Sequence, residues 1–377
     1  MNVEVILISH LSLPFPKIAS WTNMYQYLLK GKAHPFDHII CPEVNHGFKS
    51  VSYQFLRKVS VVDKVKGKLP SKSKYANYQG ALDQIIKPNK KYVIQIVDNS
   101  GIIVPIHNFL SEKHDRKNFF IQYYFQGFAP IISKKKSKPF LYAIDELFFL
   151  SHLAYKEYLN FYDDCPFKVR IMYNAIDVHK FNTISIEEKH NFRREIGLEK
   201  DHFVFMWCSQ DRPKKGLHIV LDAFAKVYKE NKSARLIIVG INREINQEGV
   251  LVVGRVENHL LPKYYQQSDV YLFPSLWKEG FGIVLAEALH CGCYVIASNQ
   301  GSIKEVLGNG DYGRVVEYPN IVAYWVDEMQ LAISQLKTKE NPYYSKLPRD
   351  LYSLDVWSSK INNAIDDAKH WLMRDEL

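Results

Sequence analysis

The chain has 377 residues, 47% apolar and 24% charged, which suits two domains with separate cores and excludes a disordered protein. No run approaches the ~20 apolar residues needed to cross a bilayer, and the start MNVEVILISHLSL lacks the basic stretch and cleavage site of a secretory signal. The formal charge of +9 is lopsided: residues 1–177 carry 24 Lys and Arg against 14 Asp and Glu, the remainder 25 against 26.

In the first half, Val3–Ser9 reads as a strand, 20–29 as a helix, and 38–41, 92–97, Phe119–Tyr124, 147–150 and 169–173 as further strands with helical stretches between several of them. Strand and helix in alternation imply a doubly wound parallel sheet. Two basic clusters, at Lys64, Lys66, Lys68, Lys72 and Lys74 and at Lys134, Lys135, Lys136 and Lys138, fit an anionic membrane surface or acceptor, or simply a solvated lysine face. No zinc-finger spacing or RNA-recognition sequence accompanies them, so no nucleic acid is expected. The charged run 187–194 reads as a connector or first helix. Alternation then restarts, with strands at 202–207, 236–240, 250–253, 271–273, 294–297 and 312–317 and helices at 216–228, 260–266, 321–337 and 355–373.

The five cysteines, Cys41, Cys165, Cys208, Cys291 and Cys293, are odd in number and scattered, which points to free thiols in a reducing cytoplasm. The terminal RDEL is expected to match the ER-retention signal by chance. GNGDYG at 308–313 has the glycine spacing of a dinucleotide fingerprint, but it precedes a strand where that fingerprint must open a helix, so a turn is expected. His290, Cys291 and Cys293 lie too close together for a tetrahedral zinc site.

Two segments carry chemistry. In YLFPSLWKEGFGIVLAEALHCG (271–292), a buried strand ends at Pro274, a loop with Gly280 and Gly282 around Phe281 follows, and a helix begins near Ile283. The unpaired N–H groups of such a helix start suit a diphosphate. Glu279 precedes the helix and Glu287 lies in its second turn. In CSQDRPKKGLHIVLDAF (208–224), Arg212, Lys214 and Lys215 stand between a strand and a helix, where cations stabilise a departing diphosphate.

These segments resemble the retaining GT-B glycosyltransferases of glycosyltransferase family 4. The first matches P-S…E-G-F-G…E-A, with Cys293 and Tyr294 in place of a usual small residue and Pro; the second matches R-x-x-x-K-G loosely. VRIMYNAIDVHKF (169–181) resembles the family's interdomain segment through Asn174, Asp177 and Phe181, with Ala175 in place of Gly. The resemblance implies a GT-B fold: two Rossmann-like doubly wound parallel-sheet domains facing a cleft. Residues 1–175 would hold the acceptor and 176–354 the donor, with the helix 355–377 packing back on the first domain. It assigns catalytic roles to Glu279, Arg212 and Lys215, and donor binding to Gly280, Phe281, Gly282, Ile283, Glu287, Lys214 and Gly301.

The first-domain signal is thinner. The loop SHLSLPFPKIAS has no glycine and offers His10, Lys17, Ser20 and Trp21. A His common in the family is absent from FFIQYYFQGFAP, leaving Gln126 or Tyr124 in its place as acceptor or sugar contacts. The expected activity is retaining transfer from a nucleotide-diphosphate sugar, UDP favoured and GDP next, to a glycan or lipid-linked acceptor in surface polysaccharide or lipopolysaccharide assembly. No cofactor or metal is expected, since no D-x-D follows a strand, and the setting is cytoplasmic, peripheral on the inner membrane face. The alternatives are a GT-B epimerase or phosphorylase, a non-catalytic nucleotide-sugar binder, and a basic nucleic-acid-binding protein.

Overall fold

The structure is a computed structural model that describes residues 3–16, 20–31, 33–56, 75–337 and 340–374. Lys17, the lysines at 64–74, the side chain of Ser20 and the final DEL lie outside the described residues. The chain divides into two units, Met1–Asn174 with Leu354–Leu377, and Ala175–Ser353.

The first unit runs β1 (Val3–Ser9), α1 (Ser20–Lys30), β2 (His38–Pro42), β3 (Ser52–Leu56), α2 (Ala76–Ile85), β4 (Lys91–Val97), α3 (Ile103–Lys113), β5 (Phe119–Tyr124), α4 (Lys134–Leu141), β6 (Glu146–Phe149), α5 (His152–Phe161) and β7 (Lys168–Ile171). The strands form one parallel sheet in the order β3-β2-β1-β4-β5-β6-β7. The central strands are covered on both faces and therefore read as near-continuous apolar runs. β3 escapes sequence reading because SYQFL is a half-exposed edge strand without a long apolar run.

The C-terminal helix Leu354–Met373 packs on this unit, where Trp357 meets Tyr25 edge-on at 5.2 Å. A buried polar ladder lies beside it. Gln95, Gln122 and Glu146 occupy facing positions on β4, β5 and β6. The Tyr25 hydroxyl donates to Gln95 (2.6 Å), Gln95 to Gln122 (2.9 Å), and Gln122 to both Glu146 (2.8 Å) and the Ala364 carbonyl of the helix (2.9 Å). Arg170 closes the ladder on Glu146 (2.7 Å) and Asp367 (2.8 Å). A fully paired buried network fixes one register for the helix, because a slip would strand several polar groups in the core.

The second unit runs α6 (Ile186–Glu195), β8 (Phe203–Cys208), α7 (Leu217–Glu230), β9 (Ala234–Val239), β10 (Val250–Gly254), α8 (Leu261–Gln266), β11 (Val270–Phe273), α9 (Ile283–His290), β12 (Tyr294–Ser298), α10 (Ile303–Val306), β13 (Arg314–Val316) and α11 (Val322–Leu336). Its parallel sheet has the order β10-β9-β8-β11-β12-β13. The charged run 187–194 is helical because Ser185 and Glu188 form a reciprocal capping box. Arg193 of α6 is 3% exposed, and its guanidinium reaches Asp269 (2.7 Å) and the Gln267 and His202 carbonyls. The 308–313 segment is a turn that precedes β13.

Strand order reverses between β1 and β4 in one sheet and between β8 and β11 in the other. The crevice outside the strand carboxyl ends at such a switch point is where open α/β sheets bind ligands.

Candidate functional site

In the second unit the loops after β8 and β11 leave the switch point side by side. The first carries Lys215 and the second Glu279, and the two side chains meet with Nζ 2.5 Å from Oε1. Ser275 donates to the same carboxylate oxygen at 2.6 Å and accepts from the Trp277 N–H, so one hydroxyl shapes the loop and holds its acid. Both charged groups are mostly enclosed, with side chains 22% and 16% exposed. An ion pair of this kind is screened less than one on the surface.

Two glycines set the loops against their neighbours. Gly216 follows Lys215 with φ 70°, and a Cβ there would collide with the Pro274 carbonyl at the end of β11. Gly301 (φ 64°) pairs with Glu279 in an isolated bridge, and a Cβ would strike the Glu279 backbone. Ser302 N–H donates to the Glu279 carbonyl at 2.9 Å. Gly301 thus acts on Glu279 through the backbone. The K-G pair was visible in the sequence, but the need for Gly216 arises from Pro274, 58 positions away.

The remaining predicted residues fall into separate roles. Gly282 caps α9 in the left-handed conformation and Ile283 opens the helix, half-buried, leaving backbone amides as their contribution. Gly280 is half-buried in the loop before them. Phe281 is 2% exposed and packs edge-on against Tyr352 at 4.9 Å, so its side chain anchors the loop and does not face a ligand. Lys214 lies over the Trp277 ring at 4.3 Å, and Trp277 itself is 57% exposed. Arg212 is exposed at the start of the same turn. Among the described residues its guanidinium makes no ion pair with Glu279; Lys215 makes that pair.

Glu287 is buried inside α9 and accepts a hydrogen bond from the Tyr265 hydroxyl at 3.1 Å. Burial pushes its carboxyl up to about 7, against the opposing pull of Tyr265 and of Lys180. Lys180 donates to the Asn258 carbonyl at 2.8 Å, and burial lowers its own affinity for the proton. Sequence reading missed Tyr265 and Lys180; Lys180 did lie inside the quoted 169–181 segment. A raised carboxyl keeps a proton that the unfolded chain has lost. Stability should therefore fall as pH rises from the ordinary glutamate range to about 7. Glu287→Gln is expected to flatten the dependence of melting temperature on pH between 5 and 8, which calorimetry of both proteins checks.

In the first unit Tyr124 is a correction. It is fully buried, donates to the Met172 carbonyl (3.0 Å) and accepts from the Trp357 indole (3.3 Å), so it cannot serve as a sugar contact. Gln126 lies just beyond β5, with both amide atoms enclosed and unpaired by protein. Asn174 is buried in the first unit. In the second unit Asp177 caps the turn that carries Lys180, and Phe181 packs on Tyr265.

All five cysteines are free thiols, and His290 is bonded to the Leu351 carbonyl. Among the described residues one group has metal-compatible spacing, Glu199, Asp201 and His202. It lies at the amino end of β8, opposite to Lys215. No described helix is long and apolar enough to cross a membrane.

Residues 188–345, less than half of the chain, match the family described as glycosyl transferases group 1. An uncharacterized glycosyltransferase of Methanocaldococcus jannaschii is 31% identical over 176 residues, covering 43% of this chain and 45% of that protein. The phosphatidyl-myo-inositol mannosyltransferase of Mycolicibacterium smegmatis is 35% identical over 114 residues, covering 28% and 30%. The matched segment thus spans less than half the length of these relatives. The structure of Anabaena HepE in complex with UDP and glucose superposes with a TM-score of 0.71 at 14% identity, covering 97% of this chain and 100% of that one. The fold is GT-B, as the alternating elements and the motif resemblance predicted.

Proposed function

We propose, from the premise that the second unit belongs to the glycosyl transferases group 1 family, that the chain is a retaining glycosyltransferase using a nucleotide-diphosphate sugar. The observation that carries this reading is the Lys215–Glu279 pair at the β8/β11 switch point, beside the start of α9. The diphosphate rests on the α9 amides and Lys215, and the ribose hydroxyls meet Glu287. A carboxyl near its midpoint at neutral pH both accepts from and donates to hydroxyls. Glu279 orients the sugar near the reacting carbon.

In the transfer, the bond from the sugar's anomeric carbon to the phosphate oxygen breaks, and the acceptor oxygen bonds to that carbon on the same face. The acceptor proton passes to the departing phosphate oxygen. The protein supplies position and charge stabilisation, with Lys215 facing the growing negative charge. We read the transfer as metal-independent; full activity in a chelator checks this.

UDP is the favoured carrier, in keeping with the UDP bound by the HepE neighbour. A glycan or lipid-linked acceptor is in keeping with the lipid named for the mycobacterial relative. Surface polysaccharide assembly at an anionic membrane face fits the basic first half; neutralising the 64–74 lysines should then weaken liposome binding. A thermal-shift panel of UDP, GDP, dTDP, CMP and ADP sugars on wild type and Glu287→Ala tests the donor site. Stabilisation of wild type alone by one nucleotide supports the reading, and no shift from any of them counts against it.

A further inference from the structure

The C-terminal helix and the last strands of the first sheet enclose a cavity of about 560 Å³, within the roughly 300–1,000 Å³ typical of small-ligand sites. It lies at the amino ends of the strands, on the rim opposite the carboxyl-end crevice: Phe120 is near the start of β5, and Glu146 and Lys168 open β6 and β7. Gln122 faces Glu146 and Glu146 faces Lys168 in the strand register. Alternate strand residues share a face, so Phe120, Glu146, Lys168 and Arg170 point to the side on which the helix packs. From the helix come Asp367, His370, Trp371 and, just past its end, Arg374, spaced i, i+3, i+4 and i+7 along one stripe.

The charged groups divide into matched and unmatched. Arg170 bonds Glu146 at 2.7 Å and Asp367 at 2.8 Å, so one cation already meets both carboxylates of the cavity. Lys168 and Arg374 are exposed and make no ion pair among the described residues. Lys168 Nζ stands over the Phe120 ring at 5.7 Å. His370 bonds the Asp366 carbonyl through Nδ1 at 2.7 Å, which leaves its Nε2 uncommitted among the described residues. Trp371 is half-buried and meets Phe120 edge-on at 5.3 Å. Lys168, Arg170 and Arg374 against Glu146 and Asp367 leave the cavity with a net charge of +1. Two unmatched cations, an imidazole and an indole thus converge from two elements on one hollow.

We propose that this cavity is a phosphoryl-binding site of the first unit, separate from the donor site of the second, in which Lys168, His370 and Arg374 hold a phosphomonoester beside the Trp371 ring. The residues select that chemistry. A guanidinium forks onto two phosphate oxygens and an ammonium adds a point charge. An imidazole nitrogen accepts from a phosphate O–H, or donates when the ring is protonated. A metal or organic cation would meet Lys168 and Arg374 and find both carboxylates taken by Arg170. A wholly apolar ligand would enclose the lysine head without a partner. A bound phosphate bridges the edge strand β7 and the end of the C-terminal helix, so occupancy stabilises their contact by mass action. The site stands independently of the glycosyltransferase reading. The phosphoryl group belongs either to a soluble phosphorylated metabolite or to a lipid headgroup.

Isothermal titration calorimetry of the full chain with phenyl phosphate tests the proposal on wild type, on Lys215→Ala and on the double variant Lys168→Gln/Arg374→Gln. Both replaced side chains of the double variant are exposed and lie outside the buried ladder that ends at Arg170, so it is expected to fold. Phenyl phosphate should bind wild type and Lys215→Ala alike, and the double variant about tenfold or more weakly. Absence of binding to wild type, binding that the double variant retains unchanged, or binding that Lys215→Ala abolishes overturns the proposal; the last would assign the phosphate to the donor site. Co-sedimentation with phosphatidylcholine vesicles, with and without phosphatidic acid, separates the two sources. Capture by the phosphatidic acid vesicles that the double variant loses assigns a lipid headgroup. Phenyl phosphate binding with no such loss of capture assigns a soluble metabolite.

Discussion

Glu279→Ala is expected to reduce turnover about 100- to 1,000-fold, the usual loss on removing one preorganised stabilising group. The carboxylate is held from two sides, by Lys215 at 2.5 Å and Ser275 at 2.6 Å, and its backbone is pinned against Gly301. An acid held in place beforehand has little reorganisation left to do, which is what preorganised stabilisation requires. Lys215→Ala should fall in the same range, since it removes the partner that positions Glu279 and, on the proposed reading, the cation that faces the leaving group. Because the two act as a unit, the double variant should lose much less than the product of the single losses. Initial rates at saturating donor, with UDP affinity measured in parallel, check this. Near-wild-type turnover in a folded Glu279→Ala would remove the basis for the site.

The second large effect concerns stability. Arg193→Ala should cost about 3–5 kcal/mol, as expected when one partner of a buried ion pair is removed and the other is left behind. Asp269 binds Arg193 and Lys189, each at 2.7 Å, and accepts the Val204 N–H at 2.8 Å, so this carboxylate ties α6 to the start of β8 just before β11. Burial alone would raise its carboxyl, but the two cations and the backbone N–H together hold it below the usual range. A lowered carboxyl stabilises the fold above its unfolded value, and that contribution disappears as pH falls through the folded one. The wild type should therefore lose this stabilisation in acid, and the penalty of Arg193→Ala should shrink with it. Urea unfolding of the second unit at pH 7 and pH 3, followed by the buried Trp207 and Trp325, measures both. A cost under about 1 kcal/mol at pH 7 would mean that Lys189 alone satisfies Asp269.

The sequence by itself determined the class of fold and the order of its parts. Apolar runs of strand length alternating with helical periodicity leave little but doubly wound parallel sheets. The strand-loop-helix spacing from Pro274 to Glu287 placed one acid before a helix and another inside it. Those signals are local: they depend on residues within a turn or two of each other.

Tertiary structure decided which groups meet. Lys215 pairs with Glu279 across 64 positions because β8 and β11 are neighbours in the sheet, and strand order is not written in either motif. That adjacency set Gly216 against Pro274; the pairing of β11 with β12 set Gly301 against Glu279, and the packing of α8 beside α9 brought Tyr265 to Glu287. In the first unit, tertiary packing turned Tyr124 inward to Met172 and Trp357, and left both amide atoms of Gln126, beyond the strand end, without a protein partner. Successive strand residues point to opposite faces, so the apolar character of β5 was legible from sequence. The use of each hydroxyl and amide depended on what the neighbouring strands and the returning C-terminal helix placed against it.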